Sequence, residues 1–355
     1  MSNGGNQDYK SRIEQLIDNF PIEIDKNVVI SGRVPNNASS EFLTNKEQGD
    51  WAERVVLKAI NESPTGYSAV PYGKNDSISA GDPGFKEFYE NYQNELNTIG
   101  KRPDILVFRK GEDNGDLSDP SVVGRAIAAI EVRSSSFLSE RYKSSMKEQN
   151  EKAERRCEDI VHEIVREPYA SLLMSKKKVI FDMLKNSTAD TFRELDFRAP
   201  SWSSSKELKK LSEMLKEIKA NIKVLQKRDH LSITPKLEDL ALVNRWISTF
   251  NVPHYYLQVF FDKAYMISFE RILTLCSLSE NEGTIFSIET DVKNQGKTTV
   301  KVDIAVGAPV IGKIDMPEHK SVMKELDRGR LLFYVKFENG QGYLDLDVFN
   351  REITG

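Results

Sequence analysis

Apolar residues in the first third of the chain recur at helical spacing. Trp51, Val55 and Ala59 fall on one face between residues 46 and 61, and this pattern predicts an amphipathic helix. The same reasoning predicts three further helices, at residues 8–20, 85–96 and 237–250.

Two short apolar runs predict buried strands. Residues 105–108 read Ile-Leu-Val-Phe and residues 126–130 read Ala-Ile-Ala-Ala-Ile, with an acidic, glycine-containing loop between them. We expect these strands to form an antiparallel hairpin. Aromatic-rich runs at residues 255–261 and 264–269 predict two more strands.

Residues 140–228 are predicted to be mostly helical, and part of this region carries a regular apolar seam. Its members follow one another in steps of three and four: Leu208, Leu211, Leu215, Ile218, Ile222 and Leu225. The seam packs either on the core of its own domain or against a second copy of the chain. It spans fewer than three heptads, which favours the first interpretation.

The pattern changes to strands after residue 283. Two turn signals predict two hairpins. Asn294-Gln295-Gly296 lies between strand-like runs at residues 284–292 and 298–306, and Asn339-Gly340 lies between runs at 331–337 and 343–349. We therefore predict a first part at residues 1–278, which contains a helical insertion at about 140–230, and a β-rich C-terminal part at 279–355. The predicted fold class is α/β, with a mixed sheet flanked by helices.

Composition narrows the protein class. The 355 residues are 39 % hydrophobic, enough to bury a sizeable core, and the net charge of −4 excludes a polybasic protein that holds polyanions by bulk charge. The charge is uneven, because residues 140–230 contain 21 basic and 16 acidic residues. Only two cysteines occur, and no apolar run approaches the roughly 20 residues that cross a bilayer. We expect a soluble, cytoplasmic protein without a membrane partner.

Charged residues at the ends of the two predicted strands suggest chemistry. Asp104 precedes the first strand and Glu131 follows the second, so a hairpin brings them together although 26 residues separate them. Arg133 shares a strand face with Glu131, about 6.6 Å away. Two carboxylates beside a cation suit Mg²⁺, which can polarise a scissile phosphate and activate water. A solvated strand end is the simpler alternative, but Glu53 on the preceding helix supplies a third acid within reach.

These residues resemble the PD-(D/E)xK nuclease superfamily, the fold of many type II restriction endonucleases. The resemblance rests on the segments at 99–108 and 130–137, and segments at 233–240 and 252–256 are most similar to the AccI type. It implies that Asp104 and Glu131 ligate Mg²⁺ together with the Val132 carbonyl. Arg133 stands where the superfamily usually has lysine, and an arginine cannot act as a general base.

Two other signals fail on inspection. Residues 307–313 match most of a phosphate-binding loop, but Ile314 occupies the Ser/Thr position and Pro317 follows where a helix should begin, so we expect no nucleotide cofactor. The four histidines are scattered without partners at metal spacing, which argues against a zinc site.

The sequence therefore predicts a Mg²⁺-dependent endonuclease that cuts double-stranded DNA, most simply a type II restriction enzyme. An enzyme that cuts both strands of a palindromic site can place one active site on each strand if it is two-fold symmetric, so we expect a homodimer. Alternatives are a repair or recombination nuclease that recognises DNA structure, and a DNA-binding protein that has kept the fold without catalysis. An interaction protein whose helical segment binds another protein is a third alternative.

Overall fold

The computed structural model describes residues 6–73, 78–291, 297–326 and 329–354. The chain forms two compact units, one made of Met1–Ser139 with Ser232–Gly355 and the other of Glu140–Leu231. The helices are α1 (Asn6–Asp18), α2 (Ser40–Glu62), α3 (Phe85–Thr98), α4 (Pro120–Val123), α5 (Ser139–Ile164), α6 (Tyr169–Lys185), α7 (Lys206–Leu225), α8 (Leu237–Phe250), α9 (Phe269–Ser277) and α10 (Leu346–Thr354). Short 3₁₀ turns occur at Ala189–Glu194, Ser279–Asn281 and Ile304–Val306.

The strands are β1 (Tyr67–Pro71), β2 (Ile105–Arg109), β3 (Ala128–Ser134), β4 (Ser232–Ile233), β5 (His254–Val259), β6 (Ala264–Ser268), β7 (Phe286–Asp291), β8 (Lys297–Asp303), β9 (Ala308–Ile314), β10 (Glu318–Leu326), β11 (Arg330–Glu338) and β12 (Gly342–Leu344). Seven of them form one mixed sheet in the order β1-β2-β3-β5-β6-β9-β12. The predicted α/β class is confirmed.

The predicted central hairpin is confirmed. Strands β2 and β3 pair antiparallel with Ile105 opposite Ile130, and β3 pairs parallel with β5 on its other side. Strand β3 continues to Ser134, beyond the end expected from its apolar run. Glu131 and Arg133 therefore lie inside the strand, where paired neighbours fix their direction.

The sheet buries apolar residues on both faces. Leu106, Ala129 and Tyr256 belong to a core with residues of α1, α8 and α9, whereas Ile105 and Ile130 belong to a second core with residues of α2. Helix α2 begins after Ser39, whose hydroxyl accepts the Phe42 N–H at 3.0 Å and caps the helix. Because strand side chains alternate, Glu131 and Arg133 point to the same face as Ala129.

One of the two C-terminal hairpins was predicted correctly. Strands β7 and β8 pair antiparallel, while the turn residues Asn294-Gln295-Gly296 lie outside the described residues. The second prediction was wrong in its partners. Asn339 and Gly340 do have left-handed φ values of 57° and 85°, but β11 pairs with β10, and β12 pairs with β9.

The segment after β12 is a helix, where the sequence predicted a strand at residues 343–349. Leu346, Phe349 and Ile353 recur at helical spacing, and Phe349 is fully buried in the core beside α2. Strands β9 and β12 of the C-terminal part belong to the seven-stranded sheet. The predicted boundary near residues 278–283 is thus not a boundary between the two compact units.

The unit Glu140–Leu231 has its own hydrophobic core, built from α5, α6 and α7. All six residues of the α7 seam are buried in it, which confirms packing on their own domain. Among the described residues, no helix is both long enough and apolar enough to cross a membrane.

Candidate functional site

The segment before Asp104 packs closely against the backbone of helix α8 at Gly100. Gly100 has φ +88°, and a Cβ atom there would lie 2.2 Å from the Leu242 carbonyl oxygen. The N–H of Lys101 donates to that same carbonyl at 3.1 Å. Only glycine permits this approach, and it fixes where the Lys101 side chain starts.

Asp104 is held from two sides. Its carbonyl accepts the N–H groups of Tyr72 and Gly73, at 2.8 and 3.1 Å, which extends the pairing of β1 with β2. Its side-chain Oδ2 accepts the N–H of Val132 at 2.7 Å. The carboxylate therefore lies against the backbone of β3, directly after Glu131.

Glu131 lies in a group of four charged side chains, which we call the buried ion cluster: Lys101, Glu131, Arg133 and Asp239. Its Oε1 is 2.6 Å from Lys101 Nζ and 3.2 Å from an Arg133 guanidinium nitrogen. Asp239, on the first turn of α8, lies 3.4 Å from Lys101 and 2.8 Å from Arg133. The Glu131 side chain is only 4 % exposed. Two cations and two carboxylates therefore neutralise one another inside the protein.

The cluster keeps all four groups charged. Burial acts against ionisation of Glu131 and Asp239, but Lys101 and Arg133 outweigh it and lower the pKa of both carboxyl groups. Burial likewise acts to lower the pKa of Lys101, and the carboxylates of Asp239 and Glu131 reverse this and raise it. A lysine so stabilised as an ammonium acts through its charge and its three N–H donors.

Asp104 has the opposite environment. Burial, the Glu131 carboxylate and the Glu53 carboxylate raise its pKa well above the ordinary value, and Lys101 opposes them only in part. Glu53 lies on α2 and is half-buried, so the structure brings this predicted residue near Asp104 as well. Because the buried ion cluster is neutral, an ionised Asp104 adds a negative charge beside it, and the Glu53 carboxylate makes the electrostatic potential at Asp104 more negative.

This charge imbalance fits a divalent cation. Glu131 Oε2 is buried and has no hydrogen-bond partner among the described residues, so one carboxylate oxygen remains available beside Asp104. Oxygen donors of this kind suit Mg²⁺. In the part of the chain that the structure describes, no three His, Cys, Asp or Glu side chains are grouped to hold a metal, so a metal here relies on the two carboxylates with backbone oxygen or solvent.

Sequence reasoning missed Lys101 and Asp239. Lys101 and Asp239 both lie in segments that carried the resemblance, and Asp239 is in the first turn of the predicted helix at 237–250, but neither position has a motif that marks it. They contact Glu131 and Arg133 because α8 packs beside the sheet. Spacing along the chain gives no signal for such a contact.

Comparison with known proteins identifies one family. A family model described as AccI restriction endonuclease matches residues 8–354 of the chain. No curated protein and no solved structure shows a significant match.

Proposed function

We propose that this chain, which belongs to the AccI restriction endonuclease family, hydrolyses phosphodiester bonds of double-stranded DNA in a Mg²⁺-dependent reaction at Asp104 and Glu131. The family comprises type II site-specific deoxyribonucleases, so the chain is an enzyme whose partner is DNA. We also propose that the chain belongs to the PD-(D/E)xK superfamily.

The observation that carries it is the pair of neighbouring carboxylates with unequal environments. Glu131 is ionised and fixed at one oxygen by Lys101, while its second oxygen has no partner among the described residues. Burial, and after it the neighbouring carboxylates of Glu131 and Glu53, raise the pKa of Asp104, and a bound dication would stabilise its ionised form. Asp104, Glu131 and the Val132 carbonyl would hold the ion, which supplies Lewis-acid polarisation of the scissile phosphate.

The remaining charged residues have separate roles in this proposal. Lys101 and Arg133 keep Glu131 ionised and in one orientation. The Arg133 side chain is 31 % exposed although its Nε is buried, and in this proposal its exposed part contacts a phosphate oxygen and stabilises the charge that develops there. Its pKa is raised by Glu131 and Asp239 against the effect of burial, so it does not remove a proton from water. Glu53 contributes negative charge beside Asp104.

Two further features belong to the proposal. A homodimer would cut both strands of a two-fold symmetric site. Its interface must lie elsewhere than the α7 seam, because that seam is buried in its own unit. The second feature is a cytoplasmic location, which is supported by the two cysteines, Cys157 and Cys276, being free thiols.

Digestion of a plasmid of known sequence tests the proposal. With Mg²⁺ the wild-type protein should give defined bands, and with EDTA none. Asp104→Ala and Glu131→Ala should each abolish cleavage, while Glu112→Ala, which removes an exposed carboxylate from the β2–β3 loop, should cut as the wild type does.

Cleavage at the wild-type rate by either site variant would show that the site assignment is wrong. Salt-sensitive DNA binding without cleavage at any Mg²⁺ or Mn²⁺ concentration would instead indicate a non-catalytic relative.

A further inference from the structure

Helix α7 presents a row of lysines on the side opposite its buried seam. The row, which we call the lysine stripe, consists of Lys206, Lys209, Lys216 and Lys223, all exposed. Successive members of the last three are seven residues apart, which is two helical turns or about 10 Å, and the whole stripe extends over about 25 Å. Glu213 lies between Lys209 and Lys216 on this side of the helix, and Glu207 is exposed next to Lys206.

Charges at the borders of α7 are paired, but those of the stripe are not. Lys210 pairs with Glu163 and Lys219 with Asp196, and Glu217 accepts two hydrogen bonds from Arg156. Among the described residues the four stripe lysines form no ion pair within 4.0 Å.

Three other exposed helical lysines have an ion-pair partner one turn away. Lys58 pairs with Glu62, Lys86 with Glu90 and Lys147 with Glu151, each in an i,i+4 arrangement. Such pairs neutralise a solvated helix face. The stripe lysines form no such pair among the described residues, although Glu213 lies four residues after Lys209. The exposed lysines at 176–178 on α6 form none there either, so what distinguishes the stripe is its row of like charges along one helix face.

The stripe cannot rotate away from solvent. Leu211, Leu215, Ile218 and Ile222, on the opposite face, are fully buried in the core of the unit. The Ser205 hydroxyl caps the first turn by accepting the Leu208 N–H at 3.2 Å. The lysines are thus displayed in a fixed row by a well-packed helix.

We propose that the lysine stripe binds the phosphate backbone of DNA without reading its sequence. This inference rests on DNA as the partner of the family. Outside residues 140–230 the chain has 29 basic and 38 acidic residues, so a polyanion must be held at local surfaces. Lysine is a flexible point charge that suits phosphate, whereas base recognition requires fixed donor geometry.

Salt-dependent binding provides the test. The full-length wild type is compared with the triple variant Lys209→Gln, Lys216→Gln, Lys223→Gln by fluorescence anisotropy on a labelled 30-base-pair duplex in EDTA. Each phosphate contact contributes about 0.9 to the slope of log K against log salt, so the triple variant should lose about 2.7 from that slope. As the salt concentration is raised, the DNA affinity of the triple variant should therefore fall less steeply than that of the wild type.

A matched control removes the same charge elsewhere. The control variant is Lys58→Gln, Lys86→Gln, Lys147→Gln, which replaces three exposed helical lysines that already have carboxylate partners. Its slope of log K against log salt should differ from that of the wild type by less than about 0.9, the contribution of one phosphate contact. The variant Lys209→Arg, Lys216→Arg, Lys223→Arg should bind as the wild type does, and circular dichroism checks that each protein is folded.

An unchanged slope in the glutamine triple variant, or an equal loss in the control, would overturn the proposal. The outcome is independent of the proposed active site because the assay contains no divalent metal and no cleavage occurs. If Asp104→Ala still cuts the plasmid, the site assignment fails while the lysine stripe remains testable by its slope.

Discussion

The Lys101 ammonium lies 2.6 Å from Glu131 Oε1, although 30 positions separate the two residues in the chain. This contact joins the segment before β2 to the middle of β3. It places an ammonium group beside the carboxylate of Glu131, which the Arg133 guanidinium also contacts. The buried ion cluster therefore contains both an ammonium and a guanidinium.

Removing the lysine should leave the cluster with an uncompensated buried carboxylate. We expect Lys101→Met to lower the free energy of unfolding by about 3–5 kcal/mol, measured by urea denaturation. The double variant Lys101→Met, Asp239→Leu removes one charge of each sign and should recover part of that loss. If the two single changes simply add, Lys101 and Asp239 are not coupled as the geometry indicates.

The guanidinium of Arg133 should be replaceable by an amine. One terminal nitrogen makes both of its contacts, to Glu131 and Asp239, and an ammonium can do the same. We expect Arg133→Lys to cleave DNA within about tenfold of the wild-type rate, and Arg133→Gln to lose about 100-fold or more. Equal loss in both variants would mean that the planar, forked geometry of arginine is needed.

Gly100 should tolerate no side chain. Its φ of +88° is unfavourable for alanine, and the added Cβ would meet the Leu242 carbonyl oxygen at 2.2 Å. Gly84→Ala is a matched control, since Gly84 has φ +81° with open space around it. We expect about 1–2 kcal/mol of destabilisation at Gly84 and clearly more at Gly100, measured as shifts in unfolding midpoint. A similar cost at both sites would show that α8 can move aside.

His254 should make the protein less stable in acid. Burial lowers the pKa of His254 to about 4, and neither ring nitrogen has a partner among the described residues. Between about pH 6.5 and pH 4 the unfolded chain binds a proton that the folded protein does not, so stability falls as pH falls, by up to about 3 kcal/mol.

The variant His254→Phe should reduce that pH slope. The ring already packs at 6.1 Å from both Trp246 and Phe269, so phenylalanine fits the same aromatic surroundings. The free energy of unfolding is measured at several pH values for this variant and for His319→Gln, which replaces an exposed histidine. The comparison shows whether the pH dependence comes from the buried histidine or from histidines in general. A slope unchanged by His254→Phe would contradict a neutral buried imidazole.

Local patterns were sufficient to predict the central hairpin and the position of Asp104. An apolar run on either side of a loop fixes two neighbouring strands, and the two-residue alternation of a strand fixes which side chains share a face. The seam of α7 was equally accessible, because helical periodicity depends only on nearby residues. The roles of Asp104, Glu131, Val132, Arg133 and Glu53 in catalysis stay predictions.

Pairing between distant segments was not accessible in this way. The turn at Asn339-Gly340 has the left-handed conformation that its residues favour, yet its flanking strands pair with β10 and β9. Asp239 meets Lys101 across 138 positions and Arg133 across 106. The sequence by itself determined the elements and the carboxylate pair on the hairpin, because those depend on short-range geometry. Only the tertiary structure decided that Lys101 and Asp239 join Glu131 and Arg133, because that depends on how helix α8 packs beside the sheet.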